Sequence, residues 1–350
     1  MDAITLKARY RNYKVRLELD NKITVIVGLS ATGKSTLHKV LEVNDRTKII
    51  QISDNRYKLI YLGSQDILHD IIKDNKLDSY RIYLIDEGKI EIDNEVASII
   101  RRTRNSYFII TSRTELGKLN FALDAVKHLV TNSNGVITLQ NFLGLREKSI
   151  NELKNIKLDE IVIEDSGKAK EWFDALFIPL GMKCKTPNEG KEKVCDLIEN
   201  LFESGVTNIL AIFDECSFGT CIKKLKYLVE LYQDRLNILS NYKSWEYLML
   251  QTNMYRRNIV KYSIDSDEFE EAYYENLLDR LSNKAGKKTH ISHESSKNQH
   301  LSKCYTEPCC FYSKGTRECS TGLKGKDKFV ALLTGTEFEN ILILAHRKGV

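Results

Sequence analysis

The stretch Ile23–Glu42, ITVIVGLSATGKSTLHKVLE, constrains this chain more than any other. Ile23-Thr24-Val25-Ile26-Val27 is a β-branched, nearly continuous apolar run, which predicts a strand buried on both faces. It stops at Gly28. A second glycine, Gly33, follows, then Lys34, Ser35 and Thr36. From Lys34 to Leu41 the apolar residues recur at helical spacing. A strand, a glycine-punctuated loop and a helix form a βα unit, and such a unit needs a sheet to belong to. The surrounding sequence supplies one. Ala3–Arg9 and Tyr13–Leu19 predict an antiparallel hairpin about Arg11-Asn12, and Lys127–Gln140 predicts another turning at Asn134-Gly135. Lys48–Ile52, Leu59–Leu62, Tyr80–Ile85 and Tyr107–Thr111 read as strands. Gln65–Asp74 and Glu95–Thr103 read as helices. This alternation predicts an α/β fold with a mostly parallel sheet.

Gly28-Leu29-Ser30-Ala31-Thr32-Gly33-Lys34-Ser35 fits G-x-x-x-x-G-K-[ST], the P-loop. The chemistry explains the spacing. Glycines let the backbone wrap so that successive N–H groups, through Ser30, Ala31 and Thr32 to Thr36, face phosphate oxygens. The helix that follows directs its N-terminal dipole at the same anion. Lys34 brings a point charge to the β- and γ-phosphates, and Ser35 a hydroxyl to Mg2+. The ligand implied is ATP.

Tyr83-Leu84-Ile85-Asp86-Glu87 is an apolar strand ending in two carboxylates. It resembles the Walker B motif. That resemblance gives Asp86 a share in holding Mg2+ and Glu87 the polarising of the attacking water. The strand Tyr107–Thr111 runs into Ser112-Arg113, and P-loop ATPases can sense the γ-phosphate with a polar residue at such a strand end. The hairpin feeding a strand and then GLSATGKST resembles the ABC-type branch, which includes SMC proteins and OLD-family nucleases, over about residues 1–140. That branch carries a glycine- and serine-containing signature of the LSGGQ kind before Walker B. No such signature lies between Thr36 and Asp86. A small-molecule kinase is a weaker reading, and Arg101, Arg102 and Arg104 are the nearest thing to its lid arginines.

A polar, lysine-rich segment around Arg146–Asp159 predicts a domain boundary, after which the pattern restarts. Glu160–Ile163, Asn208–Phe213 and Leu236–Leu239 read as strands. Lys168–Phe177, Lys191–Ser204, Lys223–Gln233, Trp245–Met254 and Glu268–Leu281 read as helices. Glu164 ends the first of these strands, and Asp214-Glu215-Cys216 ends the second. This order resembles a Toprim domain over about residues 158–255. In that fold a glutamate and a later Asp-x-Asp hold Mg2+ for phosphodiester chemistry. Glu164 matches the first acid and Asp214 the second. Cys216 stands where the third would be, and a thiol is a poor ligand for a hard ion. Glu246, within Tyr242-Lys243-Ser244-Trp245-Glu246, offers a further acidic position.

Eight cysteines are present, and Cys304, Cys309, Cys310 and Cys319 fall within 16 residues, behind His290, His293 and His300. Their C-x4-C-C-x8-C spacing lacks the paired C-x2-C of zinc ribbons. Zn2+ and a set of reduced thiols are the two readings. Lysines and arginines around them, such as Lys287, Lys288 and Arg317, permit phosphate-backbone contact or form a solvated loop. The net charge of +5 neither requires nor forbids a basic patch.

The organisation expected is a P-loop ATPase domain over 1–145, a Toprim-like α/β domain over 158–282, and a polar loop, Cys-rich segment and C-terminal helices over 283–350. An N-terminus without a leader-like apolar run, and no apolar stretch of membrane-spanning length, point to the cytoplasm. The family resemblance implies an ATPase whose nucleotide state governs a Toprim-like effector, a homodimer or a partner protein, DNA or RNA, and a role in nucleic-acid processing or defence against foreign DNA. The alternative is a nucleotide-gated regulatory module with no nuclease activity of its own.

Overall fold

The computed structural model describes residues 3–28, 33–42, 49–65, 79–86, 88–113, 119, 121–143, 157–164, 168–177, 181–187, 193–214, 218–239, 244–245 and 247. Two compact units emerge. The first is built on residues 1–145 and takes in the short 3-10 turn Phe218–Cys221. The second begins at residue 146.

The first unit is a nine-stranded sheet. β1 (Ile4–Tyr10) and β2 (Tyr13–Leu19) form the expected hairpin. β3 (Ile23–Val27) precedes the glycine loop, and α1 (Lys34–Leu41) follows it. Then come β4 (Ile49–Ile52), β5 (Lys58–Leu62), β6 (Arg81–Asp86), α2 (Asn94–Arg102) and β7 (Tyr107–Ser112). β8 (Val126–Thr131) and β9 (Val136–Asn141) close the unit. The strand order is β4-β1-β2-β9-β8-β3-β7-β6-β5. β3, β5, β6, β7 and β8 run parallel to their neighbours in the order β5-β6-β7-β3-β8. The closing hairpin does not lie at an edge. β9 pairs parallel with β2 and antiparallel with β8, so the pair joins the N-terminal hairpin to the parallel strands.

Burial follows this division. β3 and β7 are buried at every position, as strands covered on both faces must be. β1 and β2 alternate: Ile4, Leu6, Ala8, Val15, Leu17 and Leu19 face inward, with exposed charges between them. The inward residues share a core with Leu37, Val40 and Leu41 of α1 and with Ile26, Ile82, Leu84, Tyr107 and Ile109. α1 therefore packs on one face of the sheet and shares its core. On the other face of the parallel strands Tyr83 and Phe108 stack with centroids 5.2 Å apart. α2 starts from Asp93, whose carboxylate accepts the Val96 N–H at 2.8 Å. The Gly219 N–H donates to the Phe121 carbonyl at 3.0 Å, and an added Cβ would lie 2.6 Å from that oxygen, so only glycine fits there.

The second unit holds a four-stranded, all-parallel sheet: β10 (Glu160–Ile163), β11 (Cys184–Lys185), β12 (Ile209–Ile212) and β13 (Leu236–Ile238), in the order β11-β10-β12-β13. α3 (Lys168–Phe177), α4 (Val194–Glu203) and α5 (Ile222–Tyr232) connect them. The two-residue strand β11 carries no periodicity of its own and escapes a sequence reading. The helix expected at Lys191–Ser204 begins at Val194. The helices expected over Gln65–Asp74 and Glu268–Leu281 lie outside the described residues, Gln65 apart. So does most of Trp245–Met254.

Candidate functional site

Parallel strands place a site at their C-terminal ends, where loops leave the sheet and helices begin. Here three such ends stand side by side. Val27 pairs with Ser112 and Asp86 with Thr111, so β7 lies between the strand that enters the glycine loop and the strand that ends in Asp86. Side chains alternate across a strand. Ile82 and Leu84 face α1, and Asp86 continues that face. Tyr107 and Ile109 do the same on β7, and Thr111 continues theirs. Asp86 and Thr111 are therefore neighbours on the α1 side, at the mouth of the glycine loop.

Gly28 and Gly33 bracket that loop. Gly33 sits at φ +92°, in the left-handed region, immediately before α1, and its carbonyl accepts the Leu37 N–H at 2.8 Å. The left-handed turn at Gly33 lets the chain pass from the loop into the helix at Lys34. The Lys34 ammonium donates to the Gly28 carbonyl, tying the end of the motif to its start. Burial and the nearby Arg113 guanidinium lower the Lys34 pKa, while Asp86 opposes them. Lys34, Arg113 and Asp86 thus share one electrostatic neighbourhood. Ser35 and Thr36 lie in the first turn of α1. Leu29, Ser30, Ala31, Thr32 and Glu87 lie outside the described residues.

Sequence reasoning missed His38. It belongs to the buried stripe of α1 with Leu37, Val40 and Leu41. Its Nε2 lies 2.7 Å from Thr111 Oγ1 and 4.0 Å from Asp86 Oδ2. Thr111 Oγ1 in turn donates to the Ile85 carbonyl at 3.4 Å. With the threonine proton so used, Nε2–H is the donor and Nδ1 carries the lone pair. Nδ1 is buried without a partner. Burial lowers the His38 pKa, with Asp86 and Glu42 raising it and Lys89 lowering it further. The Tyr61 ring meets the imidazole edge-on at 5.7 Å, and its hydroxyl accepts from Lys89 at 2.9 Å. The signal was present: a polar residue inside an apolar helical stripe.

Gly88, Lys89 and Ile90 wrap the end of β6. The Gly88 N–H donates to Asp86 Oδ1 at 3.2 Å, and the Lys89 and Ile90 N–H groups donate to the Asp86 carbonyl at 2.8 and 2.9 Å. This turn holds the carboxylate at the strand end. Serine hydroxyl and aspartate carboxylate are hard oxygen donors of the kind Mg2+ takes, so Ser35 and Asp86 fit that ion. Arg101 and Arg102 fall elsewhere. They close α2, and Lys22, which precedes β3, donates to the Arg101 carbonyl at 3.0 Å. That is the N-terminal end of the strands, away from the glycine loop, so they are no lid over it.

The second unit brings its two predicted acids together. Glu164 follows β10 and Asp214 follows β12, neighbouring parallel strands. The Asp214 N–H donates to Glu164 Oε2 at 2.9 Å, and Asp214 Oδ1 accepts the Trp245 N–H at 3.2 Å. Ser244 caps that point, accepting the Tyr247 N–H at 3.1 Å. The helix start expected to carry a third acid thus meets Asp214 through Trp245. Glu215, Cys216 and Glu246 lie outside the described residues. Among the described residues no group of three or more His, Cys, Asp or Glu side chains could hold a metal ion. Cys184, Cys195 and Cys221 are buried thiols outside any disulfide, and burial pushes the Cys184 pKa well up. Cys304, Cys309, Cys310 and Cys319, with their proposed Zn2+, lie outside the described residues.

No described helix is long and apolar enough to cross a membrane. Comparison with protein-family models, curated proteins and solved structures returns no match.

Proposed function

We propose that this chain is an ATP-binding protein, a Mg2+-dependent ATPase whose nucleotide state controls a Toprim-like effector unit. One observation carries the reading. The strand order sets the glycine loop, Thr111 and Asp86 at three adjacent strand ends, with α1 leaving the loop behind Gly33. In this reading the N–H groups from Gly28 through Ser30, Ala31, Thr32 and Gly33 to Thr36 cradle the phosphates, and Lys34 neutralises the β- and γ-oxygens. Ser35 and Asp86 hold Mg2+, which supplies positive charge against the phosphate oxygens. Glu87 takes the proton of the water that adds to the γ-phosphorus as ADP leaves. Thr111, held by His38, lies beside Asp86. Asp86→Ala tests this assignment: ATP binding persists without added metal, while turnover and Mg2+-strengthened binding are lost. Unchanged Mg2+-dependent turnover would overturn the role of Asp86.

A second reading is supported by the other unit. The carboxylates of Glu164 and Asp214 each already accept a backbone N–H. That is what an acid pair retained for architecture does. It favours a nucleotide-gated regulatory module without nuclease chemistry of its own. Mg2+- or Mn2+-dependent nicking of plasmid DNA separates the two. Nicking lost in Glu164→Ala or Asp214→Ala, with the fold intact, rejects the regulatory reading.

A further inference from the structure

The outward face of the β1–β2 hairpin carries Lys7 and Arg9 on one strand and Lys14 and Arg16 on the other, all exposed. The register sets Lys7 directly opposite Arg16, and Arg9 directly opposite Lys14. Directly opposed residues hold their Cβ atoms about 5 Å apart, and like charges so placed destabilise a sheet. Lysine on strands commonly guards an exposed sheet edge. That explanation fails here, because β1 lies between β4 and β2, and β2 between β1 and β9. Neither is an edge strand. Glu18 is the one acid among the outward positions of the two strands, and it pairs with Arg16 at 2.7 Å. Gln51, opposite Lys7 on β4, and Thr138, opposite Arg16 on β9, extend the face with uncharged polar groups, and Ile49, opposite Arg9, and Val136, opposite Lys14, add two apolar ones. The inward face needs none of these cations, since its apolar residues alone pack on α1. Two stacked like-charge pairs on interior strands reduce stability and give the fold nothing in return.

We propose that this face binds the phosphate backbone of double-stranded nucleic acid without reading its sequence. Residues i and i+2 of a strand lie roughly 6.8 Å apart and directly opposed partners about 5 Å, so the four cations share one small patch. They concentrate positive charge on one face, as contact with a polyphosphate backbone requires. Two of them are arginines, whose planar guanidinium takes phosphate oxygens in pairs. The outward positions of β1 and β2 offer no aromatic platform for unstacked bases, which single strands would call for. The proposal stands apart from the nucleotide reading, because no residue of the glycine loop takes part in it.

The test measures binding of a labelled duplex of random sequence to the full chain across a salt series. Four phosphate contacts predict a log–log slope of about −3.6. Arg9→Ala/Lys14→Ala lowers the slope by about 2 and weakens binding at low salt at least ~10-fold. The exchange Arg9→Lys/Lys14→Arg keeps both slope and affinity. The alanine pair also relieves repulsion, so its Tm holds or rises by up to a few degrees. Lys34→Ala binds the duplex as the wild type does. No duplex binding, an unchanged slope in the alanine pair, or a lowered Tm would each overturn the proposal. Binding to phosphatidylserine vesicles in place of duplex would overturn it in favour of a membrane surface.

Discussion

His38, on the helix after the glycine loop, shares a hydrogen bond between its Nε2 and Thr111 Oγ1, 2.7 Å away, on the strand beside Asp86. A helix residue thus fixes the rotamer of a strand-end hydroxyl next to the proposed metal-binding carboxylate. His38→Ala removes this bond and leaves a void under α1, at a cost of about 2 kcal/mol, read by urea unfolding. The pH dependence follows from burial, which holds the folded-state pKa below the ordinary histidine value of 6.5. As pH falls the unfolded chain therefore takes up the proton first. Stability from His38 is complete above about pH 6.5 and drains away as pH drops from there towards the folded-state value. His38→Gln flattens that acid-side slope. An unaltered slope in the variant would contradict the account.

Asp214 is buried, and its carboxylate accepts the Trp245 N–H, so truncation strands a buried donor. Asp214→Ala is expected to destabilise the second unit by about 1–3 kcal/mol. Asp214→Asn keeps an acceptor oxygen and recovers most of that loss while removing the charge. Thermal unfolding of the three proteins checks this. Equal losses in both variants would show that charge matters here, and the hydrogen bond does not.

Gly33 adopts φ +92°, and the nearest atom to an added Cβ is Leu129 Cδ1 at 3.8 Å. Space is therefore available, and the cost of a side chain is conformational. Gly33→Ala is expected to destabilise by about 1–2 kcal/mol and to weaken ATP binding as the turn into α1 shifts. Titration calorimetry alongside unfolding measures both effects. A variant as stable as the wild type would show that α1 does not depend on this turn.

The sequence made the βα unit legible because its signals were local: a nearly continuous apolar strand, two glycines, and a helical stripe. β3 and α1 fall where the periodicity puts them. Strand neighbours were a different matter. Nothing in Val136–Asn141 announces that it pairs parallel with β2, because parallel pairing joins segments far apart in the chain. The Asp86–Thr111 adjacency escaped notice for the same reason, although both residues end apolar strands. His38 was hidden because a single polar residue in an apolar stripe reads equally as core or site until the facing strand is known. Glu164 and Asp214 were found as strand ends, but their bond through the Asp214 N–H depends on β10 and β12 being neighbours.

The central claim is that the loop from Gly28 to Ser35 holds ATP. Its most direct measurement is ATP binding and turnover by the full chain beside Lys34→Ala, with Mg2+ present. Loss of a charge-assisted contact to phosphate predicts binding weakened by about 10- to 100-fold and turnover abolished. Lys34→Ala protein that binds and hydrolyses ATP as the wild type does would contradict it.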